Sequence, residues 1–324
     1  AEKTYQAWEG VPEALLETNR TFNRYTYDNQ TDNYQQDHYQ FIYTGKINRN
    51  WKANAALHYT YGRGYYEEFR EDEAFADYGL NPLTIGNQTI NETDLVRRRW
   101  LDNDFFGTTF TLNYKKNKTN ILFGGAANRY LGKHFGEVVW TQNYIPNQNR
   151  YYDDFGNKDD VNFYTKASYN ITNKLNLFTD LQYRMVFYEA TSVKFSDVND
   201  TFRFFNPKAG LSYQLNAKNS FYGYFGIANK EPRRDDYENG SVKPERLFDY
   251  ELGWKYTTQK VKISANAFYM NYKDQLVLTG ALNDVGSPIF TNSGKSYRVG
   301  LEVESSIAIT SKLILNPNVT LSQN

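Results

Sequence analysis

From about residue 39 onward, apolar and polar residues alternate with a period of two. In Leu175-Asn176-Leu177-Phe178-Thr179-Asp180-Leu181-Gln182-Tyr183-Arg184-Met185 the odd positions are mostly apolar and the even ones mostly polar. Val261 through Ala267 and Tyr297 through Glu304 repeat the pattern. In an extended chain, successive side chains point to opposite faces, so this alternation predicts β-strands with one apolar and one polar side. About twelve strands are expected, near residues 39–47, 51–62, 105–115, 120–131, 161–171, 175–188, 203–215, 220–228, 247–256, 260–272, 296–308 and 313–322. Leu175, Leu177, Leu181, Tyr183, Val261, Ile263, Val299, Leu301 and Val303 belong to the apolar face. Asn176, Asp180, Gln182, Arg184, Lys262, Asn266, Arg298, Glu302 and Glu304 belong to the polar one.

Alternation alone fits a soluble β-sandwich and a water-filled membrane barrel equally well. The lengths of the connections separate the two. Short polar turns fall at Asn48-Arg49-Asn50, Lys116-Asn117-Lys118, Thr172-Asn173-Lys174, Ala217-Lys218-Asn219, Thr257-Thr258-Gln259 and Thr310-Ser311-Lys312. Between them lie long segments, about 63–104, 132–160, 189–201, 229–246 and 273–295, with a further loop at 1–38 that holds a short helix from Pro12. Strict alternation of short and long connections puts all short turns on one rim and all long loops on the other. That is the plan of an outer-membrane barrel. Tyr114, Tyr169, Tyr213 and Tyr256 each precede a short turn on the apolar face, where a row of amphipathic rings suits a membrane interface. The expected fold class is therefore all-β, a transmembrane antiparallel up-and-down barrel, with residues 1–324 forming a single partial barrel domain.

Composition narrows the chemistry. Lys+Arg and Asp+Glu are both 37, and this zero balance lacks the basic excess of a nucleic-acid binder. With no cysteine, disulfides, thiolate metal sites and cysteine nucleophiles are excluded. A mean hydropathy of −0.76 still permits a membrane barrel, because only every second residue of a spanning strand must be apolar. His38, His58 and His134 show no metal-ligand spacing, and the acidic run Asp153–Asp160 does not match a calcium loop. No nucleophile motif or phosphate-binding glycine loop is present, so neither an enzyme nor a cofactor is expected.

Val242-Lys243-Pro244-Glu245-Arg246-Leu247-Phe248-Asp249-Tyr250-Glu251-Leu252-Gly253-Trp254-Lys255-Tyr256 resembles the "LKPE…YELGxK" stretch of TonB-dependent receptor barrels. Asn292, Gly294 and Gly300-Leu301-Glu302-Val303-Glu304 are similar to the family's "N.G…GxExE" strand. Phe268 through Asp274 resembles the strand between them, and Asn206-Pro207-Lys208-Ala209-Gly210-Leu211 its "f.P.aGl.Y" strand. The resemblance is specific over roughly residues 200–324. It implies a 22-stranded barrel plugged by an N-terminal domain, of which this sequence, lacking a plug, a TonB box and a terminal aromatic, reads as an internal stretch of about twelve strands.

The same resemblance implies a receptor in the outer membrane of a Gram-negative bacterium, surrounded by lipid and lipopolysaccharide. It would take up a scarce nutrient, most often an iron chelate (siderophore), with energy delivered by the TonB protein complex through the plug. Extracellular loops would then supply ring faces and guanidinium groups for an anionic ligand. The candidates are Tyr65, Tyr66, Arg97, Arg98, Arg99, Trp100, Trp140, Tyr144, Tyr151, Tyr152, Arg233 and Arg234. A plug-less porin-like or adhesin barrel, and a soluble glycan-binding β protein, remain open as alternatives.

Overall fold

The structure, a computed structural model, describes residues 17–19, 27–143, 150–239, 242–282 and 288–324. The expected helix at Pro12 and the candidate Tyr144 lie outside the described residues. The strands are β1 (Asp32–Lys46), β2 (Trp51–Ala74), β3 (Leu83–Ile85), β4 (Gln88–Ile90), β5 (Glu92–Lys116), β6 (Thr119–Thr141), β7 (Arg150–Asn170), β8 (Leu175–Ser192), β9 (Phe195–Gln214), β10 (Asn219–Lys230), β11 (Glu245–Thr257), β12 (Val261–Lys273), β13 (Leu276–Leu282), β14 (Pro288–Asn292), β15 (Lys295–Ala308), β16 (Ile314–Leu315) and β17 (Asn318–Gln323). Two 3-10 turns, Phe75–Tyr78 and Arg234–Asn239, sit in the long connections after β2 and β10.

Eleven long strands form one antiparallel meander in the order β1-β2-β5-β6-β7-β8-β9-β10-β11-β12-β15. β16 and β17 both pair with β15 and share the twelfth position; the interruption between them holds Pro317, whose carbonyl still accepts from the Ser305 amide at 2.9 Å. β3–β4 and β13–β14 are small hairpins in the long connections. Among the described residues β1 pairs only with β2 and β17 only with β15, so the sheet is open.

All six short turns fall on one rim, as the connection pattern predicts. Their chemistry explains the tightness. Asn48, Thr172, Asn216, Thr258 and Thr310 each turn a side-chain oxygen onto the backbone amides two or three residues ahead, satisfying donors that the ladder cannot reach. In the sixth, Asn117 takes the left-handed conformation, φ 50°, which a two-residue hairpin turn needs and asparagine tolerates.

The loop extents need correction. The stretches read as loops at 63–104 and 132–160 are strand over most of their length, and residues 32–38 belong to β1. The stretch read as a loop at 189–201 is a two-residue turn, Val193-Lys194, between β8 and β9. The physical reason is that these upper strand halves mix polar and apolar residues on both faces. The apolar alternation fades there, while the ladder continues, reinforced by ion pairs such as Arg98–Glu67 at 2.7 Å.

Because directly paired residues share a face, the register assigns every side chain to one side. One face carries Leu57, Phe106, Phe163, Leu181, Phe205, Phe225, Leu252, Tyr269 and Leu301, and Leu252 is 70% exposed. Climbing the long strands other than β10 on this face from the tyrosine row, the first charged residue is Asp37, Arg63, Asp104, Arg129, Asp159, Glu189, Arg203, Arg246, Lys273 or Lys295. These stand some ten residues above the short-turn rim; at about 3.3 Å per residue and a tilt of about 40°, that makes a belt of order 25–30 Å. The opposite face holds Lys166, Asp180, Arg184, Lys208, Asn266 and Glu302. Hydrogen bonds that skip a strand, such as His58 to Asn128 at 2.9 Å and Tyr222 to Asn266, occur on this second face and mark it as the inner one.

Candidate ligand-binding mouth

Above the belt, two connections fold onto the inner face. The first places Tyr78 against Leu95, Val138 and Tyr151. There the Tyr78 hydroxyl donates to Glu73 and accepts from Arg97 at 2.7 Å, while Arg97 also grips Glu68 at 2.6 Å. Arg97 is thus committed to holding this connection in place.

The second connection is a strap over residues 231–239 that lies along β7, β8 and β9. Glu231 binds Lys158 at 2.6 Å and Arg184 at 2.7 and 2.8 Å. Burial works against ionisation of Glu231, but hydrogen bonds from Arg184 and Lys158 outweigh it and hold its carboxyl at about 2. Arg234 donates to Asp154 at 2.9 Å, and Asp154 also accepts from the Ser192 hydroxyl and the Val193 amide. Tyr237 donates to Asp200 at 2.7 Å and stacks on Tyr188. A break in the wall accommodates the strap. Pro207 has no amide hydrogen, and the β9–β10 ladder stops at Lys208–Gly226, below it. The Asn206 side chain takes over and accepts from the Asn229 amide at 3.0 Å.

The candidate residues separate by face. Tyr66, Arg97, Arg99, Tyr151, Tyr152 and Arg234 lie on the inner side of the mouth. The Tyr151 hydroxyl is buried without a hydrogen-bond partner among the described residues, and burial pushes its ionisation well up. Tyr65, Arg98, Trp100 and Trp140 point to the outer face. They lie on strands rather than in loops, and one step of register per residue turns them from the mouth. Arg233 faces the β13–β14 hairpin, over the Phe290 ring at 4.5 Å.

His134, set aside in the sequence for want of metal-ligand spacing, has a distinctive setting. It sits on the inner face opposite Asp154. Burial, and then the Arg234 cation, lower its pKa to about 4, against the pull of Asp154 and Asp235. Tyr130, lower on the same face of β6, donates to Asn103 at 2.7 Å. Only inner-face parity on β6 could have singled either residue out. Among the described residues no group of three or more His, Cys, Asp or Glu could hold a metal ion.

An antiparallel meander with an outer apolar belt and a polar inner wall is a transmembrane β-barrel wall. Residues 4–323 match the family model of the TonB dependent receptor-like β-barrel, and the chain belongs to that family. Its members are outer-membrane receptors of Gram-negative bacteria. Similar solved structures include the copper transporter OprC (12% identity, TM-score 0.68, covering 90% of this chain and 46% of that one). The open form of the ferric-catecholate import receptor Fiu from E. coli K12 matches with 14% identity and TM-score 0.62, covering 94% and 48%. The FrpB iron transporter from Neisseria meningitidis matches with 18% identity and TM-score 0.56, covering 89% and 43%. At such identities the likeness is one of fold, and the chain spans just under half the length of these proteins. Curated protein sequences give no match.

Proposed function

We propose that this chain is the barrel wall of an outer-membrane receptor that actively takes up a scarce nutrient, an iron chelate being the favoured substrate. Energy comes from the TonB protein complex through a plug domain in the lumen. The observation that carries this reading is the inner-face grouping of Arg99, Arg234, Tyr66, Tyr151 and Tyr152 above the belt, where cations and phenols suit an anionic chelate entering from outside. Names among the similar structures support it, since Fiu is a ferric-catecholate import receptor and FrpB an iron transporter.

The test is growth of a strain lacking the gene on single iron chelates, with and without the full-length gene. Restored growth on one chelate, lost in Arg99→Gln or Arg234→Gln, supports the reading. Gene-dependent uptake of copper or an oligosaccharide, with no chelate dependence, overturns the iron assignment.

A further inference from the structure

The charge of the chain cancels as a sum, 37 Lys and Arg against 37 Asp and Glu, but not in space. The short-turn rim and the first rungs above it comprise residues 44–52, 113–120, 169–176, 212–220, 253–264 and 305–316. These 58 residues hold 12 Lys and Arg and no Asp or Glu, although about six or seven acids would fall there at the average of 37 in 324. The rest of the chain therefore carries 25 basic residues against 37 acidic ones. All 12 cations at the rim are exposed, and none is joined to a carboxylate among the described residues. Above the belt the habit is the reverse, and cations such as Arg98, Arg129 and Arg184 are paired.

Some of the rim cations, Lys52, Lys115, Lys255 and Lys262, share the parity of the inner wall. Others stand in the turns themselves, where a local pattern repeats. In Ile171-Thr172-Asn173-Lys174, Leu215-Asn216-Ala217-Lys218 and Ile309-Thr310-Ser311-Lys312, an exposed aliphatic residue on outer-face parity ends the belt and a lysine follows three residues later. The residue between them accepts from the lysine's own amide, Thr172 at 3.1 Å, Asn216 at 3.0 Å and Thr310 at 3.2 Å. Each turn thus fixes the backbone from which its ammonium group extends. Arg49, Lys118 and Lys260 give the other three turns a cation as well.

Height and spacing define what this surface meets. The turn cations Lys118, Lys174, Lys218 and Lys260 follow the girdle residues Tyr114, Tyr169, Tyr213 and Tyr256 by four or five residues. At about 3.3 Å per residue, in a chain that reverses direction there, they lie within about 10 Å of the tyrosine row, in the headgroup layer. Successive turns are about 10 Å apart, two strand spacings, so the six cover an arc of about 50 Å. A compact acidic protein would be matched by cations gathered at one place. Cations shared among all the turns at one height match a planar array of anions. Lysine suits that position, because its stem lies along apolar surface while its ammonium group reaches the polar layer.

We propose that the short-turn rim is a collar for anionic phospholipid headgroups of the adjacent leaflet. Lys174, Lys218, Lys312 and their counterparts in the other turns contact the lipid phosphates, and Ile171, Leu215 and Ile309 lie against the acyl chains just above. Each cation near such a surface gains from its negative potential, and salt screens that gain. The collar gathers anionic lipid around the rim and fixes the depth at which the wall sits. It presupposes a membrane-embedded belt and works whichever nutrient crosses the lumen.

The full-length receptor is placed in nanodiscs of phosphatidylethanolamine with a minor share of phosphatidylglycerol, and the lipid that stays bound through mild detergent extraction is quantified by mass spectrometry. The expected result is enrichment of phosphatidylglycerol over its share in the disc. That enrichment should fall several-fold in Lys174→Gln/Lys218→Gln/Lys312→Gln and persist when the same three residues are changed to Arg. In the unaltered receptor it should fade as salt is raised, a readout that stands even if the Gln variant folds poorly. Enrichment that is unchanged in the Gln variant, or insensitive to salt, overturns the collar. An equal loss in Lys133→Gln/Lys273→Gln/Lys295→Gln, whose cations stand at the opposite edge of the belt, overturns its assignment to the short-turn rim. Complete displacement of the lipid by millimolar inorganic phosphate at constant ionic strength overturns the assignment to a membrane lipid. Chelate-dependent growth reads the uptake function separately, so either conclusion can fail alone.

Discussion

Tyr222 of β10 and Asn266 of β12 are joined by a 2.9 Å hydrogen bond across a strand that belongs to neither. Gly253 of β11 lies on the same rung as both, and a methyl there would collide with the Tyr222 ring. His58 and Asn128 meet in the same way over Gly107 of β5. Glycine at these positions lowers the inner wall locally so that polar groups two strands apart can pair. Gly253→Ala is expected to lower stability by about 1–3 kcal/mol through overpacking. Asn266→Ala should cost about 1 kcal/mol through the lost bond. Urea midpoints of the full-length protein folded into liposomes check this; a Gly253→Ala midpoint equal to wild type refutes it.

The belt makes a sided prediction. Leu252→Arg places a cation on the outer face in mid-belt and should cost about 2–4 kcal/mol. Its neighbour Glu251 points inward, so Glu251→Gln should leave insertion into liposomes near wild type. If the two variants insert equally well, the face assignment is inverted.

Seating of the strap depends on acid in a defined direction. The carboxyl of Glu231 is held at about 2, below the ordinary value near 4.3. Its contribution is therefore complete above about pH 4.3, declines below it, and is gone once the pH passes about 2. Hydrogen exchange over residues 231–239 should stay slow from neutral pH down to about 4.3. In Glu231→Gln it should already be fast at neutral pH. Slow exchange in that variant at pH 7 would show that Arg234 and Tyr237 hold the strap unaided.

His134 acts in the same direction over a higher pH interval. Its pKa of about 4 lies below the ordinary value near 6.5, so the unfolded chain takes up the proton first. Stability should be insensitive to this group above about pH 6.5, fall between about 6.5 and 4, and level off below. His134→Gln should flatten that interval in a plot of unfolding midpoint against pH; an unaltered slope would mean that other groups produce it.

Much of the wall was legible in the sequence because a membrane imposes two demands that leave marks there. Alternation located the strands, and short polar runs such as Asn48-Arg49-Asn50 and Thr172-Asn173-Lys174 located the turns. Legibility ended where the lipid did. Above Arg63, Asp104 and Arg129 neither face must be apolar, so upper strands such as Glu92–Asn103 carry no period and read as loops. Without the period, parity is lost, and Trp100 could not be told from Arg99 as an outward residue. The strap was hidden for a different reason. Its pairing of Glu231 with Lys158 joins residues far apart in sequence, and no local spacing encodes that.

Pro207 gives the wall a place to yield. In a closed barrel, hydrogen bonds around the circumference act like the hoops of a cask, and an outward push at any point is resisted by every strand. Above the Lys208–Gly226 rung that hoop is cut between β9 and β10, and Asn229, bonded to the Asn206 side chain and the Phe205 carbonyl, spans the gap. Radial load on the upper rim should therefore concentrate on one slit, whose depth is set by a single imide, while the belt beneath keeps its circumference.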